Sequence, residues 1–201
     1  MEELQFMEKP DWVTWESILE CIKKSHKKNE KRGFHMTNQD MDAEGLQNKL
    51  KNGHCFVSLE GQKVVGTCST IIKNGNRWWS KGKIVAYNCL DAVLPEYQGT
   101  DVFFGLRTLR SQFIKESKVD IIQLNTAEQN KVIQKMALKR GAKYVRYSAT
   151  GKGANYYSVI MAEWLNSCPF SEKYCNFRFK LSKYLIKALW RPGYKFRFWF
   201  C

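Results

Sequence analysis

The spacing of apolar residues along the chain switches between helical and strand periods, and the switches divide it into elements. Residues 3–8 suit a short strand, after which Pro10-Asp11 reads as a helix start with Asp11 as N-cap. Trp12, Trp15, Ile18, Leu19 and Ile22 recur at helical spacing up to the basic run Lys23–Lys31, which reads as a solvated helix end. A shorter helix over 39–51 closes at Asn52-Gly53. The period then changes. Residues 54–59, 63–73 and 83–94 are rich in Val, Ile, Thr, Tyr and Cys, and the polar breaks Glu60-Gly61-Gln62 and Asn74-Gly75-Asn76 separate them as an antiparallel meander.

A helix follows Pro95 over 102–117, then a strand over 120–125, a helix over 129–140 closed by Gly141, and strands over 142–149 and 155–164. Thr150-Gly151-Lys152-Gly153 reads as the hairpin turn between the last two, because a nucleotide loop would need a different spacing and a following helix. The order β, α, α, β, β, β, α, β, α, β, β predicts an α/β fold with a mixed, mostly antiparallel sheet flanked by helices.

Composition divides the chain in two. Its 201 residues, 44% hydrophobic and 14% aromatic, can bury a core and exclude disorder. Lys and Arg number 33 against 19 Asp and Glu, a net charge of +14 that favours an anionic partner. Half of that excess lies in 166–201, where eight basic residues from Lys173 to Arg197 meet one acid, Glu172, among eleven aromatics. Residues 1–165 therefore read as one domain and 166–201 as a basic, aromatic extension.

The N-terminus has no secretory pattern, and no apolar run approaches the ~18 residues of a membrane span. The seven cysteines contain no Cys-x-x-Cys pair and sit mostly in apolar runs, as reduced core thiols do. A cytoplasmic protein is expected, peripheral on the inner membrane face if the extension binds lipid. The three histidines show no metal-ligand spacing, so no metal site is expected.

The chemistry concentrates where a strand ends at Val93-Leu94-Pro95, a loop Glu96-Tyr97-Gln98-Gly99-Thr100-Asp101 follows and a helix opens at Val102. Free amides and the positive dipole end of that helix form an anion site. Farther on, Asn130 opens a second helix and Gly141 closes it. This run of strand, Pro-x-Tyr, Gln and Gly, with the later Asn-to-Gly helix, resembles the GNAT superfamily of acyl-CoA-dependent N-acetyltransferases over residues 3–165. The resemblance implies acetyl-CoA or another acyl-CoA as co-substrate. It places strand groups of Ala92 and Val93 against the thioester and pantetheine, and the amides of Gln98, Gly99, Thr100, Asp101, Val102, Phe103 and Phe104 around the pyrophosphate. Asn130 would contact the cofactor from the second helix. The implied reaction is direct attack of an amine on the thioester, without metal or covalent intermediate.

Two departures bear on that chemistry. The close-approach positions where the family has Gly and Gly/Ala hold Asp101 and Phe103, and Asp101 is expected to turn away as N-cap while Phe103 crowds the loop. The position of the family's thiolate-protonating Tyr holds Ala137, and that of its general-base Glu holds Tyr87. The remaining acid–base candidates are Asp91 and Tyr87, placed on one strand face by alternation, and Tyr144, with Tyr147 beyond it. Cys89 beside them reads as a structural thiol. Arg77-Trp78-Trp79 either shapes an acceptor pocket or forms a packed edge.

The extension can form a helix over 172–191 with a lysine stripe beside a broad apolar face. That helix suits a membrane interface, packing on the sheet, or a homodimer contact. The last residues, ending Phe198-Trp199-Phe200-Cys201, need cover from the domain or from lipid headgroups. The expected function is acyl transfer to a small-molecule or lipid-linked amine, with an amino sugar or a lipid-linked acceptor at the membrane face as the expected class. An acyl-carrier-protein donor and an inactive adaptor for membrane or protein are the alternatives. Nucleic acid is set aside because no base-reading motif accompanies the charge.

Overall fold

A computed structural model describes residues 3–31, 40–149 and 157–189. Among the described residues, seven strands, mostly antiparallel, and five helices give the mixed α/β layout expected from the period changes. They fall into two compact units, Met1–Ile72 with Ala86–Lys118, and Lys73–Val85 with Val119–Cys201.

The first unit holds β1 (Leu4–Glu8), α1 (Trp15–Lys31), α2 (Ala43–Lys49), β2 (Gly53–Glu60), β3 (Lys63–Asn74), most of β4 (Ile84–Val93) and α3 (Val102–Glu116). The strand order is β1-β2-β3-β4, with Phe6 opposite Ser58 and Val57 opposite Thr67 in antiparallel register. Cys55 to Leu59 are all buried, so β2 is covered on both faces and its run of apolar residues does not alternate. Ile18 and Ile22 of α1, Leu46 of α2, Val57, Val65 and Leu106 of α3 meet in one core.

The start of α1 differs from the expectation. The N–H of Ser17 donates to Thr14 Oγ1 at 3.2 Å, so Thr14, not Asp11, caps the helix. A turn closed by Val13 N–H to the Pro10 carbonyl precedes it, burying Val13 and leaving Trp12 54% exposed. Ahead of α2, Asp42 Oδ1 accepts from the Gly45 amide at 2.7 Å. Gly105 lets α3 lie directly on β1, because a Cβ there would fall inside the Phe6 ring.

The second unit holds β5 (Ile121–Ala127), α4 (Lys131–Lys139), β6 (Lys143–Ala149), β7 (Tyr157–Trp164) and α5 (Glu172–Leu189). The order is β5-β7-β6, antiparallel throughout, with Asn125 opposite Ile160 and Tyr147 opposite Val159. Gly141, at φ +88°, ends α4 as its spacing predicts. The boundary at residue 165 falls inside this unit.

Of the three settings open to α5, the structure shows packing on the sheet. Cys175, Ser182 and Ile186 are buried, Phe179 stacks on Tyr144 at 4.9 Å, and Ser182 Oγ accepts the Tyr147 backbone N–H at 2.8 Å. Trp78 packs edge-on against Phe170 and Tyr174 while Arg178 covers its ring at 5.1 Å. Trp79 is buried, with Nε1 donating to Gln123 at 3.3 Å, so the aromatic pair forms a packed edge. Cys21, Cys55, Cys68, Cys89, Cys168 and Cys175 are free thiols, and burial pushes Cys21 up to about 12 and Cys89 to about 11. The turn at Thr150–Gly153 and the residues from Trp190 onward lie outside the described residues.

Candidate functional site

Strand β4 runs into a 3-10 turn at Pro95–Tyr97, where Pro supplies the fixed φ of a first helical position. Tyr97 N–H bonds the Leu94 carbonyl at 2.9 Å, and the Thr100 hydroxyl donates to the Tyr97 carbonyl at 2.6 Å. The Tyr97 hydroxyl donates to Glu60, and that bond to a carboxylate raises the phenol to about 12. Gly99, at φ +89°, then reverses the chain in a conformation that other residues resist. Gln98 reaches back so that its Nε2 donates to the Val93 carbonyl at 3.0 Å, fastening the loop to the strand end.

The loop delivers the N-terminus of α3 to solvent. Thr100 Oγ1 accepts a long bond, 3.4 Å, from the Val102 amide, and the Gly105 amide bonds the Asp101 carbonyl at 2.8 Å. The amides of Phe103 and Phe104 have no acceptor among the described residues. Asp101 stands at the N-cap position with its backbone already helical, and its exposed side chain makes no capping bond. Thr100 supplies the bond expected of Asp101. Phe103 also departs from the expectation, since its ring packs against the core, whereas Phe104 is 60% exposed.

Within β4, Leu90 is buried with φ +59°, a left-handed conformation that is uncommon for a bulky residue in a strand. It interrupts the alternation that was to place Tyr87 and Asp91 on one face. Asp91 accepts from both terminal nitrogens of Arg110 on α3, with Nη2 to Oδ2 at 3.0 Å, and Arg110 Nη1 also donates to the Ser69 carbonyl at 3.3 Å. Burial alone would lower the affinity of Arg110 for its proton, but the facing Asp91 carboxylate raises it above the ordinary value, so the guanidinium stays charged. Asp91 is thereby anchored to α3. Tyr87 and Ala92 lie on the same strand, Tyr87 half-buried and Ala92 buried.

Asn130 and Tyr144 belong to the second unit. Asn130 caps α4, its Oδ1 accepting from Ile133 N–H at 3.5 Å. Tyr144 donates to Gln134 Oε1 at 3.1 Å, and the buried Gln134 amide donates in turn to the carbonyls of Ala127 and Glu128, at 3.0 and 2.9 Å. Burial raises the Tyr144 phenol. Tyr147 is fully buried and donates to Glu128 Oε2 at 2.5 Å, while Lys183 donates to Oε1 at 2.7 Å. Alternation alone did not reveal that Gln134 and Glu128 organise these tyrosines. No cluster among the described residues could hold a metal ion.

An acetyltransferase of the GNAT family from Staphylococcus aureus Mu50 superposes with a TM-score of 0.61 at 17% identity, covering 82% of this chain and all of that one. An acetyltransferase from Streptococcus agalactiae 2603 gives 0.59 at 20% identity over the same shares. The chain has the GNAT fold. The PaiA N-acetyltransferase from Thermoplasma acidophilum, in complex with coenzyme A, gives a TM-score of 0.57 at 14% identity, covering 81% of this chain and 99% of that one. No family model matches the sequence, and no curated protein matches it significantly. In GNAT terms, the first unit supplies the strand, loop and helix on which the sequence resemblance rests, and the second supplies Asn130 and Gly141.

Proposed function

We propose that the protein is an acyl-CoA-dependent N-acyltransferase, with acetyl-CoA as its ordinary donor. The observation that carries this reading is the α3 N-terminus: on a GNAT fold, the left-handed Gly99 leads to two amides, those of Phe103 and Phe104, that lack acceptors among the described residues. Those groups fit a pyrophosphate. The Asp101 carboxylate beside them opposes it and weakens the fit without filling the space.

The donor, when bound, supplies an acyl thioester. The chain's own part is to hold the diphosphate at α3, to keep β4 in place through the Gln98–Val93 and Asp91–Arg110 bonds, and to take a proton from the incoming amine. Tyr87, half-buried on β4, is a candidate for that proton transfer. The acceptor class is an amino sugar or a lipid-linked amine.

Calorimetry with acetyl-CoA, followed by thiol release against a panel of amines, tests the reading. Micromolar binding and amine-dependent thiol release are expected, and absence of binding to any acyl-CoA overturns it. A second donor class, an acyl carrier protein, is favoured by one observation: Asp101 disfavours a diphosphate more than the single phosphate of a carrier-bound pantetheine. Faster turnover with acyl carrier protein than with acyl-CoA would select that donor. A domain that binds donor without turnover would be an adaptor.

A further inference from the structure

We infer that the outward face of α5 docks the protein on an anionic lipid surface. The inner face of this helix is spent on β6, through Cys175, Phe179, Ser182 and Ile186. The opposite side still carries large apolar groups. Tyr174, Phe177, Leu181 and Tyr184 are all exposed, Phe177 by 60% and Tyr184 by 71%. Their spacing of three, four and three residues aligns them within about 80° of the helix circumference. Tyr174 also packs against Trp78, but a globular domain has no structural use for Phe177, Leu181 and Tyr184 in water at regular spacing.

The neighbouring row supplies the charge. Lys173, Lys180 and Lys187 recur every seven residues along the edge of the stripe, and all three are exposed. Lys187 stands 3.9 Å from Glu128, while Lys173 and Lys180 have no acidic partner among the described residues. Aromatic rings that enter a headgroup layer, flanked by lysines whose stems extend to lipid phosphates, are the chemistry an anionic membrane surface recognises. The sequence after α5 continues in the same composition. Residues 190–201 contain Trp190, Tyr194, Phe196, Phe198, Trp199 and Phe200, with Arg191, Lys195 and Arg197 and no acid.

Two other occupants fit less well. In a paired helix the stripe would be the seam, and the flanking positions Lys173, Lys180, Lys187 and Arg178 would set like charges against each other. A folded partner needs about 800 Å² per side for a stable interface. An 18-residue helix offers a convex strip of roughly 27 Å by 10 Å, about a third of that. A lipid surface imposes no such minimum.

The test is vesicle co-sedimentation of the full chain, which needs no donor or acceptor and so stands apart from acyl transfer. The probes are phosphatidylcholine vesicles with and without about 30% phosphatidylglycerol, at low and high salt. Binding at least tenfold tighter to anionic vesicles, and weakened by salt, is expected. Lys173→Glu with Lys180→Glu should lower affinity by about 25-fold or more, at ~5-fold per lysine. Phe177→Ser with Tyr184→Ser should lower it by about tenfold. These side chains are exposed, so circular dichroism and the thermal midpoint should not change. Equal binding to neutral and anionic vesicles overturns the proposal, as does full binding by both double variants, which would assign the contact to residues 190–201. Dimerisation of the unmodified chain that Phe177→Ser with Tyr184→Ser abolishes would also overturn it, in favour of a second copy.

Discussion

Arg110 on α3 holds Asp91 on β4 in a two-pronged ion pair, and a further bond to the Ser69 carbonyl ties the same guanidinium to β3. The arginine is almost wholly buried and the carboxylate partly exposed. Removing one partner strands a charge in the interior. Arg110→Ala should therefore destabilise the protein by about 3–5 kcal/mol in denaturant unfolding. Arg110→Lys should recover part of this, since it keeps the charge but loses the fork. Asp91→Asn should also lower stability, because a neutral amide cannot balance the buried guanidinium.

Asp101 offers the opposite case, a residue whose removal should help. Its side chain makes no cap bond, and it is exposed beside the amides proposed to hold a diphosphate. At about 4 Å in a water-like dielectric, a carboxylate opposes a phosphate by ~1 kcal/mol. Asp101→Asn should tighten acetyl-CoA binding by about fivefold in calorimetry, and the thermal midpoint should hold.

Glu128 makes stability depend on acid. Its burial opposes ionisation, but bonds from Lys183 and Tyr147, with the charges of Lys183 and Lys187, outweigh this and hold its carboxyl below the ordinary 4.5. A carboxyl depressed in the folded state contributes stability that is present above its unfolded value and is lost as pH falls through the folded one. The thermal midpoint should drop as pH falls below 4.5, and Glu128→Gln should flatten that decline. Tyr147→Phe, which removes one donor to the carboxylate, should cost about 1.5–3 kcal/mol at neutral pH.

The α3–β1 approach gives a packing test. Gly105→Ala places a methyl into the Phe6 ring and should destabilise by about 1–3 kcal/mol. Phe6→Leu in the same chain should restore part of the loss, measured by urea unfolding.

Every strand and helix boundary from Gly53 to Trp164 lay within a few residues of the period changes, because periodicity reports which face is buried. The α1 start differs because Pro10 and Asp11 carry the same signals for a turn as for a helix entry. At the site, the anion-binding turn was legible from Pro95, Gly99 and the helix that follows, all of which act locally. The roles of Asp91, Tyr144 and Phe103 were not legible. Each is decided by a partner far along the chain, Arg110 for Asp91, Gln134 for Tyr144 and the core for Phe103, and spacing carries no information about such pairings. Leu90 shows the same limit: nothing in a leucine announces a left-handed residue in a strand.

Ser182 supplies the acceptor for a backbone N–H of β6, the outermost strand of its unit. Losing the helix would leave Tyr147 facing water on one side and an open hydrogen-bonding edge beside it. A recombinant version shortened to residues 1–165 should accumulate in inclusion bodies, whereas one ending after Leu189 should stay in solution.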